Sequence, residues 1–210
     1  MTFVYVGKLG GWYLTHEMVD FVAKAVQIMP RMRWRVLSQS DPQAIRQSPA
    51  FALLNGQVTF AQVAPEEVPA ELNKCHVGLS FVKPCVSKQA SSPTKLAEYL
   101  AAGLPVVSTA GIGDSDAILT GNDAHGEEFN GNGALGRPVG VLVREFTAEA
   151  YSQVICELKA LLDDPDTPWR CRAVAEQHFD LERVGWVRYR RLYRLLLGNP
   201  QSADSGESPA

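Results

Sequence analysis

The sequence predicts an α/β fold: a doubly wound, Rossmann-like parallel sheet of about six strands, flanked by helices and followed by C-terminal helices. Short apolar runs alternate with amphipathic segments along most of the chain, which is the pattern of strand-helix-strand units. The apolar runs are continuous, as expected for parallel strands buried on both faces. Hydrophobic residues make up 46% of the 210 residues, enough for a substantial core.

Six apolar segments are predicted as strands because each is short, contains β-branched residues and ends near turn-forming residues. In chain order they are FVYVG (3–7), MRWRVLS (32–38), QVTFAQV (57–63), HVGLSFV (76–82), LPVVST (104–109) and VGVLVRE (139–145). Ligands of such sheets bind at the carboxyl ends of the strands, so the loops that follow the strands are the candidate site.

Helices are predicted between the strands from apolar residues at helical spacing and from start signals. One begins near Thr15; Asp41 caps another, with Pro42 at its first position, and a short one follows over 64–75. A further helix begins at Ser92, which we expect to act as N-cap, with Pro93 at the first position. Three more are predicted over 147–164, 167–179 and 181–197.

The chain is predicted to form one domain over residues 1–197, followed by a disordered polar tail over 198–210. A Gly- and Asn-rich segment over 120–138 is a long loop. The last helix is amphipathic and arginine-rich, which favours docking on the domain, with peripheral membrane contact as the alternative.

Charge and cysteine content narrow the function classes. The net charge of −3 does not favour nucleic-acid binding, so a bound anion requires a local site. The four cysteines lack the spacing of a zinc site, and no secretory signal is recognised. These features predict a cytoplasmic protein without a metal centre.

The loop after the first strand, GKLGGWY, is a candidate phosphate loop. Its spacing differs from GxGxxG, and the second strand ends in Ser38 without an acidic residue, so a dinucleotide cofactor is disfavoured. Gly10 and Gly11 allow close backbone approach to a ligand, and Lys8 adds a cation at the rim. A tight turn with a solvated lysine remains the alternative.

The segment SSPTKLAEYLAAGLPVVST contains the second candidate element. The N-terminus of its helix can hold a phosphate, with Lys95 nearby. Glu98 lies about 9 Å farther along the axis from Ser92, at ~1.5 Å per residue. A nucleoside diphosphate has this layout, because a carboxylate can accept hydrogen bonds from a ribose diol. A surface Lys/Glu pair is the alternative.

This segment resembles the C-terminal, donor-binding domain of GT-B glycosyltransferases, close to the retaining family four, or group 1, enzymes. VYVGKLGGWY, VTFAQVAPEEVPAELNKCHVGLSFV and GVLV extend the similarity over nearly the whole chain. The resemblance implies a single GT-B half-domain, a nucleoside diphosphate sugar as donor, and no cofactor or metal. It implies that Glu98 binds the donor ribose and that the remaining site residues contact phosphate, sugar or base: Lys8, Gly10, Gly11, Gln62, Val63, Lys83, Ser92, Thr94 and Lys95.

The resemblance also implies transfer with retention, with a role in envelope or exopolysaccharide synthesis. The sequence departs from the family at Ala90, where many members have a glutamate, and in the first loop, where GGWYLTHE replaces the usual lysine. No histidine matches the catalytic one of the acceptor domain, so no catalytic residue is assigned. We therefore expect donor binding with little or no transfer by the chain alone, and a separate acceptor domain or self-association as partner.

Two other functions fit the same fold. One is a non-catalytic, degenerate GT-B module that acts through a partner chain. The other is a nucleotide-sugar epimerase of the non-hydrolysing type. Turnover of a nucleotide sugar without an acceptor would favour the epimerase.

Overall fold

The computed structural model describes residues 1–121 and 136–197. Two compact units are present, Met1–Ala175 and Glu176–Ala210. The tail predicted over 198–210 and most of the loop predicted over 120–138 lie outside the described residues. The single domain predicted over residues 1–197 therefore remains a prediction.

The first unit contains one six-stranded sheet in the order β3-β2-β1-β4-β5-β6, with every neighbouring pair parallel. The strand order reverses between β1 and β4, which therefore flank the topological switch point. Each predicted apolar run contains one strand. The strands are β1 (Thr2–Val6), β2 (Arg33–Leu37), β3 (Val58–Ala61), β4 (Val77–Ser80), β5 (Val106–Thr109) and β6 (Gly140–Val143).

Helices flank this sheet, so the predicted α/β, Rossmann-like architecture with six parallel strands is confirmed. The helices are α1 (Thr15–Ile28), α2 (Gln43–Arg46), α3 (Val68–Leu72), α4 (Thr94–Ala101), α5 (Ser115–Thr120), α6 (Ala148–Asp163), α7 (Thr167–Phe179) and α8 (Val187–Leu196). Short 3₁₀ segments cover Pro49–Leu54, Pro65–Glu67 and Val86–Lys88, and a π-helical turn covers Leu181–Trp186.

The core of the first unit forms where α1 and α6 pack against the sheet. Phe21 of α1 contacts Phe81 and Tyr151, with ring centroids 5.5 Å apart in both pairs. The Tyr151 hydroxyl also donates a 3.1 Å hydrogen bond to the carbonyl of Glu17. These contacts attach α1 firmly to the sheet, so the loop between β1 and α1 has two fixed ends.

Two predicted helix starts are wrong in detail. The helix predicted from Asp41 to residue 54 divides into α2 and a 3₁₀ segment, because Ser48, before Pro49, is extended with ψ of 133°. Asp41 still accepts a 2.9 Å hydrogen bond from the Gln43 amide, but Pro42 is the N-cap and not the first helical residue. The short helix α5 was not predicted.

The start of α4 also differs from the prediction. Pro93, and not Ser92, is the N-cap, and the helix begins at Thr94. Pro93 is extended, with ψ of 119°, which is the usual conformation of a cap residue. Among the described residues no side chain accepts a hydrogen bond from this helix N-terminus.

The second unit contains the π-helical turn and α8, as the predicted amphipathic helix requires. Its exposed apolar side chains include Leu195 and Leu196, and arginines occupy other positions of the same helix. Among the residues the structure covers, no helix combines the length and apolarity needed to cross a membrane.

Candidate functional site

The candidate site lies at the carboxyl edge of the sheet, beside the switch point between β1 and β4. The loops after these two strands are joined by an antiparallel bridge between Tyr13 and Val82. The Lys83 amide donates to the Trp12 carbonyl at 2.8 Å, and the Leu14 amide donates to the Phe81 carbonyl at 3.1 Å. These backbone contacts form a loop clip, residues 12–14 with 81–83, that holds the two loops together.

The glycine pair in the first loop turns the chain into this clip. Gly10 and Gly11 have φ of 76° and 64°, in the left-handed region that L side chains rarely adopt. The Gly10 amide donates to the Thr15 hydroxyl at 2.9 Å, which attaches the turn to the start of α1. Lys8 lies before this turn; its side chain is exposed, and its carbonyl accepts a hydrogen bond from the Tyr5 hydroxyl.

The N-terminus of α4 presents amides that the helix itself cannot satisfy. Ser92 and Thr94 lie beside it with exposed side chains, but neither caps it. Uncapped amides and the positive end of the helix dipole together favour an anion. The anion-binding property predicted for Ser92, Thr94 and Lys95 thus has its structural counterpart, although Ser92 does not act as a cap.

Lys95 does not form the surface pair that was considered as the alternative. Its side chain is only 7% exposed, and its Nζ lies 4.3 Å from the ring centroid of Tyr5 and 4.4 Å from that of Tyr13. Within the described residues, Nζ has no hydrogen-bond partner. Burial lowers the pKa of Lys95 to about 7, while the charge of Glu98 acts in the opposite direction.

Glu98 lies one helical turn beyond Lys95, on the exposed side of α4. At ~1.5 Å per residue it is about 6 Å along the axis from Thr94. Its side chain is exposed overall, yet partial desolvation of the carboxyl group raises its pKa and the charge of Lys95 lowers it. An anion at the start of α4 would therefore have a carboxylate within the length of one sugar ring.

Tyr99 fixes α4 on the sheet at the switch point. Its hydroxyl accepts a 2.8 Å hydrogen bond from the Val6 amide of β1 and donates at 3.2 Å to the Leu79 carbonyl of β4. Gly78 makes room for the ring, since a Cβ there would lie 2.3 Å from Tyr99 Cδ2. Tyr99 thus links the two strands that separate at this point and sets the position of Lys95 and Glu98.

The other predicted site residues lie at the same edge of the sheet. Lys83 is exposed directly after the loop clip. Gln62 and Val63 follow β3, two strands from β1, where the Gln39 amide group donates to the Val63 carbonyl at 3.0 Å. Among the described contacts, none joins Gln62 or Val63 to Lys95 or to the glycine turn. A ligand that reached both groups would have to span the ends of β2 and β1.

Tyr5 and Tyr13 were not among the predicted site residues. Tyr5 lies on a strand and Tyr13 follows the glycine turn, so neither has a spacing that relates it to α4. Their ring positions follow from the loop clip, which brings Tyr13 over the Lys95 amine. Aromatic residues on both sides of a glycine-rich turn were the only signal in the sequence.

A groove of about 790 Å³ lies elsewhere, between β6 and α6. None of the predicted site residues lines it, and Thr147 already caps the nearby helix by accepting a hydrogen bond from the Ala150 amide. Within the described residues, no group of three or more His, Cys, Asp or Glu side chains could hold a metal ion.

Comparison with solved structures relates the fold to sugar transferases. The pneumococcal O-GlcNAc transferase, solved with UDP and GlcNAc, matches at 14% identity with a TM-score of 0.63, over 93% of this chain and 36% of that one. The Anabaena protein HepE, solved with UDP and glucose, matches at 15% identity with a TM-score of 0.62, over 91% and 48%. The chain thus spans less than half of these two proteins.

A third match is limited to one domain. The C-terminal domain of a glycosyl transferase group 1 family protein from Francisella tularensis aligns at 16% identity with a TM-score of 0.54, over 84% of this chain and 82% of that one. The fold is therefore that of a GT-B half-domain. A search of curated proteins finds no match.

The sequence itself carries the family signature. The sequence profile described as "Glycosyl transferases group 1" matches residues 1–160, which include β1 through most of α6 and every predicted site residue. The chain therefore belongs to the glycosyl transferases group 1 family.

Proposed function

We propose that this chain is the donor-binding part of a glycosyltransferase and binds a nucleoside diphosphate sugar at the start of α4. The observation that supports this most directly is the buried amine of Lys95, which has no hydrogen-bond partner among the described residues and lies at an uncapped helix N-terminus. A buried cation without a partner is unfavourable by itself, so its presence here favours an anionic ligand.

Each part of the donor has a matching group. The diphosphate would contact the α4 amides and Lys95, with Lys8 at the rim and the backbone of Gly10 and Gly11 nearby. Glu98 would accept hydrogen bonds from the ribose diol. Lys83, Gln62 and Val63 would contact sugar and base. During transfer, negative charge grows on the leaving diphosphate, and fixed amides with a nearby ammonium stabilise it.

We further propose that the transfer retains the anomeric configuration and takes place in the cytoplasm during envelope or exopolysaccharide synthesis. The family membership supports these finer assignments. Because the chain spans 36% to 48% of two full-length matches, we expect transfer only with an acceptor domain from a second chain or a second copy. The diphosphate charge would be neutralised by α4 and lysines, without a metal ion.

A thermal-shift panel tests donor binding. Purified protein is melted with UDP, GDP, ADP, CMP or buffer, each with and without EDTA. A ligand at about one hundred times its dissociation constant stabilises the fold by ~2.7 kcal/mol, or roughly 5 to 10 °C at this size. We expect one diphosphate to raise the melting temperature, and EDTA to leave that shift unchanged.

Two variants link the shift to the site. Glu98→Ala should reduce it, while Glu157→Ala, an exposed glutamate on α6, should leave it intact. The absence of a shift with every nucleotide, on a cooperatively melting sample, would contradict the proposal and favour a non-catalytic module. Turnover of a nucleotide sugar without an acceptor would instead indicate an epimerase.

A further inference from the structure

The Lys95 amine is enclosed by groups that cannot neutralise it. Tyr5 from β1 and Tyr13 from the following loop present their ring faces at 4.3 and 4.4 Å. Gly7 closes a third side, since a Cβ on Gly7 would lie 3.0 Å from Nζ. Ring faces attract a cation but accept no ordinary hydrogen bond, so all three donors of the ammonium remain unused.

The titratable groups that face the amine come from three elements: Tyr5 on β1, Tyr13 in the loop and Glu98 on α4. Burial raises the pKa of the Tyr5 hydroxyl, which donates to the Lys8 carbonyl, so this phenol stays neutral. Glu98 is the one carboxylate that acts on Lys95, and within the described residues the two form no ion pair. Burial therefore outweighs the attraction of Glu98.

We infer that binding of a diphosphate at the start of α4 is coupled to the uptake of one proton by Lys95. This inference rests on the proposed function, because it assigns the diphosphate to the same site. In the balanced step, the neutral amine takes a proton from solvent, and the resulting ammonium donates hydrogen bonds to the phosphate oxygens. No bond to the ligand forms or breaks.

The direction of the coupling follows from the charge of the ligand. In the free protein, burial lowers the pKa of Lys95 to about 7. A diphosphate beside the amine favours the charged form and raises this pKa. Above pH 7 the protein must gain a proton to bind, so the association constant should fall by about tenfold per pH unit until the pKa of the complex is reached.

The glycine turn makes this arrangement possible without a charged partner from the protein. A carboxylate in place of Tyr13 would hold Lys95 charged at all times, but it would also repel the phosphates. Two ring faces attract the ammonium and leave its N–H groups free for the ligand. The site would thus be uncharged when empty above pH 7 and cationic when occupied.

Isothermal titration calorimetry measures the proton directly. The probes are UDP-glucose, GDP-mannose and ADP-glucose, whose phosphates lack the dissociation near pH 6 of a terminal phosphate. Each is titrated at pH 6.0, 7.5 and 8.5 (~2.5 units in all), in two buffers of different ionisation enthalpy. For the sugar nucleotide that binds, we expect about one proton taken up at pH 8.5 and about a tenth at pH 6.

Two lysine variants provide the comparison. Lys95→Met keeps a similar side-chain length without an ionisable group, so it should abolish the proton uptake and weaken binding at pH 6. Lys8→Met removes an exposed lysine of the same region and should retain the uptake. Circular dichroism establishes that both variants fold, and the wild-type titration decides the question even where Lys95→Met does not.

The outcomes separate the two proposals. Binding without proton uptake at pH 8.5, with an affinity that is flat between pH 6.0 and 8.5 (~2.5 units), overturns the coupling and leaves the donor site in place. Uptake that persists in Lys95→Met also overturns it, since another group then carries the proton. No binding of any of the three nucleotides at any pH overturns the proposed function and the coupling together.

Discussion

Replacing Lys95 with methionine should stabilise the folded protein, and the gain should shrink as pH rises. The lysine has a lower pKa in the folded state than in the unfolded chain, about 7 against 10.5. Between these values the unfolded state binds more protons, so the stability of the wild-type protein rises with pH across this window. Methionine removes the titrating group and with it this part of the pH dependence.

The magnitude follows from the size of the pKa change. At about 1.4 kcal/mol per pKa unit, the buried ammonium costs about 5 kcal/mol at pH 6 and about 2 kcal/mol at pH 9. Cation–π contacts with Tyr5 and Tyr13, worth ~1 kcal/mol each, oppose this cost but do not cancel it. The stabilisation by Lys95→Met should therefore be about 3 kcal/mol larger at pH 6 than at pH 9.

Urea unfolding at pH 6, 7.5 and 9, followed by circular dichroism in the presence of a reductant, measures these differences. Taking the difference between variant and wild type at each pH cancels the titration of all other groups. Lys8→Met, an exposed lysine, is the matched control and should show no pH-dependent difference. An equal effect of Lys95→Met at pH 6 and pH 9 would refute the reasoning, because the amine would then titrate as if it were in water.

Three further substitutions test contacts around the site and elsewhere in the fold, each measured by urea unfolding. Tyr99→Phe should cost about 1–3 kcal/mol, because the Val6 amide loses its acceptor; an unchanged midpoint would contradict that bond. Gly113→Ala should cost more than ~1 kcal/mol, since its Cβ would lie 1.9 Å from the Ser91 carbonyl oxygen at a φ of +50°, and a neutral effect would mean that this loop relaxes easily. Thr147→Ala should cost ~1 kcal/mol through the lost cap of α6, and Thr147→Ser should restore most of it.

The sheet could be predicted from sequence because its strands are buried on both faces. Such strands appear as short apolar runs whatever their neighbours are, and all six were located. The break at Pro49 and the start of α4 at Thr94 were missed because they depend on the backbone before each proline. The short helix α5 carries too few residues for a periodic pattern.

The burial of Lys95 could not be predicted, for a different reason. Helical spacing places it beside Glu98 and away from Leu96 and Tyr99, which is the pattern of an exposed lysine. What buries it is Tyr13, which is distant in sequence and is brought back by a glycine turn. Local periodicity describes a helix by itself, whereas the environment of a side chain at a loop-helix junction depends on tertiary contacts.

The loop clip between residues 12–14 and 81–83 has a consequence for the kinetics of the site. Its two backbone hydrogen bonds and bridge attach the first loop to the end of β4, so both loops should open together and not separately. The amide hydrogens of Leu14 and Lys83 should then exchange with solvent at similar rates. A recognition surface held in this way loses little conformational entropy when a ligand arrives, so association should be limited by encounter more than by rearrangement.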